Sequence, residues 1–292
     1  MNNEIIGHAI QLQLLQNFIS KQKMHHGVLF VGPKHVGKMT IARAFAHKII
    51  TDEHVEEWTV INKNDGDMTI VEPLQEEKKG KIIYKDIGVD QIAIARRTFA
   101  LASDGCAKVM IIDDAETMTV QAQNALLKTL EEPSKNGFVV LVAHQEDRLL
   151  DTIRSRCFVI HFNMVFSEDM KKMCDEEQLI EDAQGRPGYL MRMQNDSDFR
   201  ESVQYARDQL RALYKMPIHE RMKLAQTLSG KDDDQIQTFF HVWVYRIWKT
   251  AHDTQKLNLL RVADKIDHAL AVMRKTNVNK QMVLEDLLIH IV

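Results

Sequence analysis

The sequence predicts an α/β protein in which a parallel sheet covered by helices is followed by a region made of helices alone. Two observations predict this class. Up to Phe162, short apolar runs alternate with amphipathic segments, and each run is continuously apolar, as in strands that are buried on both faces. After Ser167, nearly every segment has helical spacing and no run is typical of a strand.

The elements at the start of the chain follow from local patterns. Apolar residues recur every three to four positions over Ala9–Lys21 and Lys38–Ile50, which predicts a helix in each. Between them, Gly27–Gly32 is a glycine-bounded apolar run and predicts a buried strand. Met68–Val71 predicts another strand, and Leu74–Lys85 predicts a loop or hairpin.

The second part of this region continues the alternation. Val89–Ala102 predicts a helix, and Thr119–Glu132 predicts a second one that Thr119 caps and Pro133 ends. Three further apolar runs predict strands over Lys108–Asp113, Phe138–Ala143 and Phe158–Phe162.

Length and turn-forming sequences suggest how the chain is divided. The 292 residues correspond to roughly two domains. Breaks are predicted at Asn163–Ser167, Gly185–Gly188, Met216–Pro217 and Gly230–Asp234. We therefore predict an α/β domain over 1–164, a small helical piece over 165–198 and an all-helical domain over 199–292.

Composition excludes several classes of protein. The 38 Lys and Arg residues against 41 Asp and Glu residues leave a net charge of −3, which excludes a polybasic coat but not a local basic patch. Cys106, Cys157 and Cys174 form no CxxC pair, which argues against a disulfide framework and fits a reducing cytoplasm. No apolar run approaches the ~20 residues of a membrane span, and no signal-peptide pattern is present at the N-terminus.

A phosphate-binding loop is predicted where the first strand meets the second helix. Gly32 to Lys38 fit the spacing G-x-x-x-x-G-K, in which glycines let the backbone wrap a phosphate and the lysine reaches its terminal oxygens. The candidate residues are Gly32, Pro33, Lys34, His35, Val36, Gly37, Lys38, Met39 and Thr40.

The loop lacks one element of its usual chemistry. Met39 stands where Ser or Thr would ligate Mg²⁺, and Thr40 follows one position too late on the helix. The loop therefore either binds ATP or ADP without efficient hydrolysis or keeps its shape for packing alone.

A second candidate lies at the end of the strand that begins at Lys108. Asp113 occupies the position that holds Mg²⁺ through water in P-loop enzymes. Asp114 stands where a glutamate would polarise the attacking water, and it is one methylene too short. The alternative is that a buried strand simply ends in solvated acids.

Four segments give the sequence a specific resemblance, namely His26–Pro33, Gly88–Ile92, Asn124–Pro133 and Arg148–Cys157. With them, the chain resembles the AAA+ clamp-loader subunits of bacterial DNA polymerase III, and among these the delta-prime subunits most closely. Ile5–His8 is similar to the N-terminal segment that lies near the adenine pocket in that family. The resemblance covers residues 4–162, with a weaker match at Gly185–Gly188.

The resemblance implies an AAA+ domain, a small helical lid and a C-terminal helical domain that joins a collar. It implies gamma/tau-type ATPase subunits, the delta subunit, the sliding clamp and primer–template DNA as partners. The complex would open the clamp and load it on primed DNA with ATP.

Arg156 is the residue for which the resemblance implies a catalytic role. It lies in Ser155-Arg156-Cys157, which in the family supplies an arginine finger to the ATP of a neighbouring subunit. A guanidinium beside the γ-phosphate neutralises charge that develops in the transition state. The alternative is a solvated arginine before an edge strand.

Departures from the family pattern favour a subunit that does not hydrolyse ATP. Gly188 stands where active loaders have a lid arginine, Arg186 is offset from that place, and the polar residue that senses nucleotide would fall at Ala143 or His144. Residues 49–86 contain no cysteine, so the zinc module found in many relatives is not expected and no metal site is predicted.

Arg96, Arg97 and Lys128 are candidates for phosphate contacts to DNA, because the family lines its inner spiral with helices and phosphate contact needs positive charge within reach. The alternative is that they are ordinary solvated residues. Two other functions remain: an autonomous gamma/tau-like ATPase motor, and a P-loop small-molecule kinase or dinucleotide enzyme.

Overall fold

The computed structural model describes residues 4–21, 25–52, 57–61, 66–78, 81–100, 107–132, 136–276 and 278–291. The chain divides into two compact units, Met1–Tyr189 and Leu190–Val292. This division falls inside the segment 165–198, for which the sequence predicts a separate small helical piece. The predicted stop at Pro133, the predicted helix end at Ala102 and Cys106 lie outside the described residues.

The elements of the first unit follow the predicted order. They are α1 (Ala9–Lys21), β1 (Gly27–Val31), α2 (Lys38–Thr51), β2 (Met68–Val71), β3 (Leu74–Lys78), β4 (Lys81–Lys85), α3 (Val89–Ala100), β5 (Lys108–Ile112), α4 (Val120–Glu131), β6 (Gly137–Ala143), α5 (Asp151–Arg154), β7 (Phe158–His161), α6 (Ser167–Met170) and α7 (Glu177–Ala183). The segment predicted as a loop or hairpin forms the antiparallel hairpin β3–β4.

Five strands form one parallel sheet in the order β2-β5-β6-β1-β7. Strand β1 lies between β6 and β7: Gly27 is opposite Val139, and Val28 is opposite Phe158. Because all strands point the same way, their carboxyl ends meet at one edge of the sheet, where ligands bind in open α/β sheets.

Helices cover both faces of this sheet, which confirms the predicted fold class. Side chains alternate along β1, so that Val28 and Phe30 belong to the core beneath α1 and α2. Leu29 and Val31 belong to a second core with residues of α3 and α4. Burial on both faces explains why the strand is apolar at every position.

The described part of the second unit consists of helices joined by short turns. Helix α8 (Pro187–Asn195) spans the boundary, and α9 (Ser197–Leu213), α10 (Ile218–Ser229), α11 (Asp233–Thr254), α12 (Leu260–Lys275) and α13 (Lys280–His290) follow. Trp243 is fully buried, and its indole N–H donates to the carbonyl oxygen of Ala206 at 2.7 Å. Asp232 and Gln235 form a capping box at the start of α11. Within the described ranges, no helix is both long and apolar enough to cross a membrane.

Candidate functional site

The predicted phosphate loop connects β1 to α2 at the carboxyl edge of the sheet. Gly32 is required there, because a Cβ at this position would lie 2.1 Å from the carbonyl oxygen of Phe162. Gly37 has φ 104° and His35 has φ 65°, so the loop turns through the left-handed region before α2 begins. No acidic residue lies in the first turn of α2, which leaves the positive end of its dipole unopposed from within the helix.

Two segments from elsewhere in the first unit hold this loop. His8, which precedes α1, donates from Nε2 to the carbonyl oxygen of Val36 at 2.9 Å, and burial lowers the pKa of its imidazole. The backbone N–H of Gly188 donates to the carbonyl oxygen of His35 at 2.9 Å, and a Cβ on Gly188 would lie 3.1 Å from that oxygen. Gly188, which stands where active loaders have a lid arginine, therefore contacts the loop through its backbone.

The loop lysine is buried and fully hydrogen-bonded. Lys38 Nζ donates to the carbonyl oxygens of Gly32 and Pro33 at 2.6 and 2.7 Å and to His144 Nδ1 at 2.9 Å. These three bonds use the three N–H donors of an ammonium group. Burial lowers the pKa of Lys38 to about 8, although the charge of Asp113 acts in the opposite direction.

The two predicted acids follow β5 at the same edge. The backbone N–H of Asp114 donates to Asp113 Oδ1 at 3.0 Å, and Asp114 Oδ1 lies 2.6 Å from His144 Nε2. The hydrogen bond from His144 lowers the pKa of Asp114, whereas burial raises the pKa of Asp113. The structure therefore brings Lys38 and Asp114 together through the imidazole of His144.

The two residues that follow the loop lysine lie differently. Met39 is half-buried and packs against the core under α1 and α2, so its side chain contributes to packing. Thr40 is half-buried, and Lys34 in the loop is exposed. The hydroxyl ligand that Mg²⁺ prefers is replaced by a thioether that serves the core.

Three side chains near the lysine could hold a divalent cation. Ligand atoms of Asp114, Glu116 and His144 lie within 4.8 Å of one another. Glu116 Oε1 also accepts from the backbone N–H of His144 at 3.1 Å. Two carboxylates with one imidazole suit a transition metal better than Mg²⁺. The absence of a metal site stays a prediction.

Arg156 lies near the amino ends of the parallel strands, whereas this loop lies at their carboxyl ends. It precedes β7, whose Phe158 pairs with Val28 near the start of β1, whereas the loop follows Val31 at the end of β1. Arg156 Nη2 lies 2.7 Å from Glu131 Oε1, and Nη1 donates to the carbonyl oxygen of Thr152 at 3.0 Å. Its guanidinium thus sits at the end of α4.

The three candidates for DNA contact lie on two helices that pack against each other. Arg96 and Arg97 belong to α3, and Lys128 belongs to α4. Arg97 and Lys128 are exposed, and Arg96 is half-buried. Both helices cover the same face of the sheet.

The structure brings three further residues into these sites. The sequence suggests His144 only as a weakened sensor, and it suggests no role for Glu116 or Glu131. The sequence could have indicated His144 and Glu116, because each follows a strand of the parallel sheet and the residues after such strands lie close together. No local signal points to Glu131, which pairs with an arginine on another segment.

Comparisons with known proteins give a family match. The family model described as "DNA polymerase III, delta subunit" matches residues 7–166. The chain is 33% identical to the DNA polymerase III subunit delta' of Bacillus subtilis over 179 residues, covering 58% of this chain and 50% of that protein. It is 30% identical to the DNA polymerase III subunit tau of the same organism over 185 residues, covering 60% of this chain and 32% of tau.

An archaeal relative matches at a similar level. The Replication factor C small subunit of Natronomonas pharaonis is 29% identical over 163 residues, which covers 55% of this chain and 44% of that protein. Among solved structures, a DNA polymerase III gamma subunit-related protein of Thermotoga maritima has a TM-score of 0.49 at 19% identity, covering 96% of this chain and 98% of that one. The chain thus spans a third to a half of the length of these curated relatives.

Proposed function

The chain belongs to the DNA polymerase III delta subunit family, and we propose that it is a delta-prime-like stator of a replicative clamp loader. In this role Arg156 acts as an arginine finger at an ATP site on a neighbouring subunit, and the chain hydrolyses no ATP itself. The neighbouring ATPase then drives loading of the sliding clamp on primed DNA.

The position of Arg156 supports this proposal most directly. Arg156 precedes β7, whose first residue pairs with Val28 near the start of β1, and the phosphate loop follows the end of β1. Four residues of parallel strand separate the two levels, which corresponds to roughly 13 Å along the strand. An arginine finger has to touch the γ-phosphate, so this arginine suits an ATP held by another chain.

The state of the chain's own phosphate loop supports the second half of the proposal. Lys38 gives all of its N–H donors to protein acceptors, and Asp114 is bound to His144. Met39 offers no ligand suited to Mg²⁺. ATP or ADP can still occupy Gly32–Lys38 through the backbone amides, and hydrolysis there would lack the hydroxyl ligand for Mg²⁺ and a free, positioned base.

The remaining assignments follow from the same role. We propose gamma/tau-type ATPase subunits, a delta subunit, the sliding clamp and primer–template DNA as partners, in the cytoplasm. Residues 165–198 would act as the lid and residues 199–292 as the collar. Arg96, Arg97 and Lys128 are the proposed phosphate contacts.

The test compares reconstituted complexes that contain the cognate ATPase subunits, the delta subunit, clamp and primed DNA. Arg156→Ala is expected to abolish turnover at one interface, since an arginine finger contributes about 10³-fold or more to kcat. DNA-stimulated ATPase and clamp loading are measured after gel filtration shows equal assembly. Arg154→Ala, at the end of α5 two residues before Arg156 and paired with Asp151, is the matched control and should retain activity.

Two outcomes would contradict the proposal. Full activity of the Arg156→Ala complex would show that this arginine is not a finger. ATP turnover by the isolated chain, abolished in Lys38→Ala, would instead favour the gamma/tau-like motor.

A further inference from the structure

We propose that Glu131 is a positioning residue that holds the side chain of Arg156 in the orientation needed for action in trans. This inference rests on the proposed function, because it concerns how the finger is presented. The observation behind it is the ion pair between Arg156 Nη2 and Glu131 Oε1 at 2.7 Å.

The backbone around Arg156 is already fixed without Glu131. The N–H of Arg156 donates to the carbonyl oxygen of Ile153 at 3.1 Å, and the N–H of Cys157 donates to that of Arg154 at 3.2 Å. Ile153 is fully buried, and a Cβ on Gly27 would lie 3.1 Å from the carbonyl oxygen of Arg156. The freedom that remains therefore belongs to the arginine side chain.

That side chain is long and partly exposed, with 36% of its surface accessible. A free arginine populates many rotamers, and each productive contact would then have to select one of them. Glu131 and the carbonyl oxygen of Thr152 bind different terminal nitrogens of the guanidinium. Because the group is planar, two anchors on two elements fix both its place and its tilt.

Anchoring leaves donors available for a phosphate. A guanidinium has five N–H groups, and these two contacts engage one on each terminal nitrogen. Arg156 can therefore keep its ion pair with Glu131 while it contacts a γ-phosphate. Water screens this half-exposed pair, so the carboxylate removes little of the positive charge that the phosphate experiences.

The location of Glu131 runs against helix electrostatics. It is the last residue of α4, where the negative end of the helix dipole disfavours a carboxylate. The preference for basic residues at the end of a helix is not followed here, and departures from such local preferences are expected where a residue is kept for its function. Glu132 follows directly and is also exposed, but the ion pair of Arg156 is made by Glu131.

The experiment measures steady-state ATPase kinetics of reconstituted complexes with this chain varied. Glu131→Ala is expected to lower kcat about tenfold, in line with the rotamer freedom it restores, and to leave the KM for ATP unchanged. Glu131→Gln keeps a neutral acceptor and should recover part of the loss. Glu132→Ala is the matched control and should stay within about twofold of wild type.

A double-mutant cycle separates positioning from a general structural role. In an Arg156→Ala background, Glu131→Ala should cause no further loss. An equal loss in both backgrounds would mean that Glu131 acts through the fold, and higher activity of Glu131→Ala would mean that it restrains the finger; either result overturns the inference. If Arg156→Ala itself has no effect, the proposed function fails first. If Arg156→Ala lowers kcat and Glu131→Ala does not, only the positioning role is wrong.

Discussion

Lys38 shows how a single residue can be both buried and charged in this fold. Its ammonium is held by two carbonyl oxygens and His144, and burial still lowers its pKa to about 8. The hydrogen bonds satisfy the donors but do not replace the solvation that the charge has in water. A loop with the shape of a phosphate cradle thus contains a charge whose burial costs free energy.

This cost predicts a pH dependence of stability. Between about pH 8 and pH 10.5 the unfolded chain keeps the proton on Lys38 that the folded chain has released. Stability rises with pH where the unfolded state binds more protons. The free energy of unfolding of the wild type, relative to that of Lys38→Met, should therefore rise by about 2 kcal/mol between pH 7 and pH 10. Urea denaturation of both proteins at each pH measures this difference. A constant difference across the range would show that the pKa of Lys38 is not depressed.

Helix α4 connects features that are otherwise separate along the chain. Thr119 caps its start, with its hydroxyl oxygen accepting from the N–H of Ala122 at 3.2 Å. One turn later, the buried amide of Gln123 donates to the carbonyl oxygens of Met118 and Arg148 and accepts from the N–H of Leu150. The helix ends at Glu131. Helix α4 therefore contacts the loop before α5 near its start and Arg156 at its end.

Removal of the cap should weaken this helix measurably. Thr119→Ala leaves the N–H of Ala122 without its side-chain acceptor and should lower the free energy of unfolding by about 1 kcal/mol. Thr98→Ala is the control, because the Thr98 hydroxyl bonds to the carbonyl oxygen of Ile94 in its own helix and is exposed. The control should stay within about 0.5 kcal/mol. Chemical denaturation of the three proteins compares them, and equal losses would contradict the capping role.

At the level of elements, local signals allowed most of the fold to be predicted. Helix periodicity, the Thr119 cap and continuously apolar strands each depend on neighbouring residues, and the structure confirms the order of elements and the parallel sheet. The residues of the phosphate loop and the acids after β5 are also contiguous in sequence. The bond between Lys38 and His144 joins positions 106 residues apart, so no local pattern could reveal it.

The charge of the whole molecule constrains how it can meet DNA. A net charge of −3 gives no general attraction to phosphates, so the proposed contact with DNA has to come from exposed basic residues on particular helices. Arg97 and Lys128 are exposed on α3 and α4. The proposed phosphate-binding residues are therefore few, and each should be visible in the salt dependence.

Removal of a single one of these charges should change the salt dependence of DNA binding. In a reconstituted loader, Arg97→Gln or Lys128→Gln should reduce the slope of log K for primed DNA against log salt by about 0.9 for each phosphate that is no longer neutralised. Lys215→Gln, an exposed lysine in the helical unit, is the control and should leave the slope unchanged. Fluorescence anisotropy at several salt concentrations measures the slope. Identical slopes for all four proteins would remove these residues from the DNA-binding surface.

The topology of the sheet has a consequence for how the chain folds as it is synthesised. Strand β1 leaves the ribosome well before its two neighbours, which contain Val139 and Phe158, more than a hundred residues later. One edge of this apolar strand stays without its native partner until β6 has emerged, and the other edge until β7 has emerged. Folding of the first unit is therefore delayed until most of its residues are available, and during that interval the nascent chain exposes an apolar strand with unpaired edges, a feature that favours aggregation.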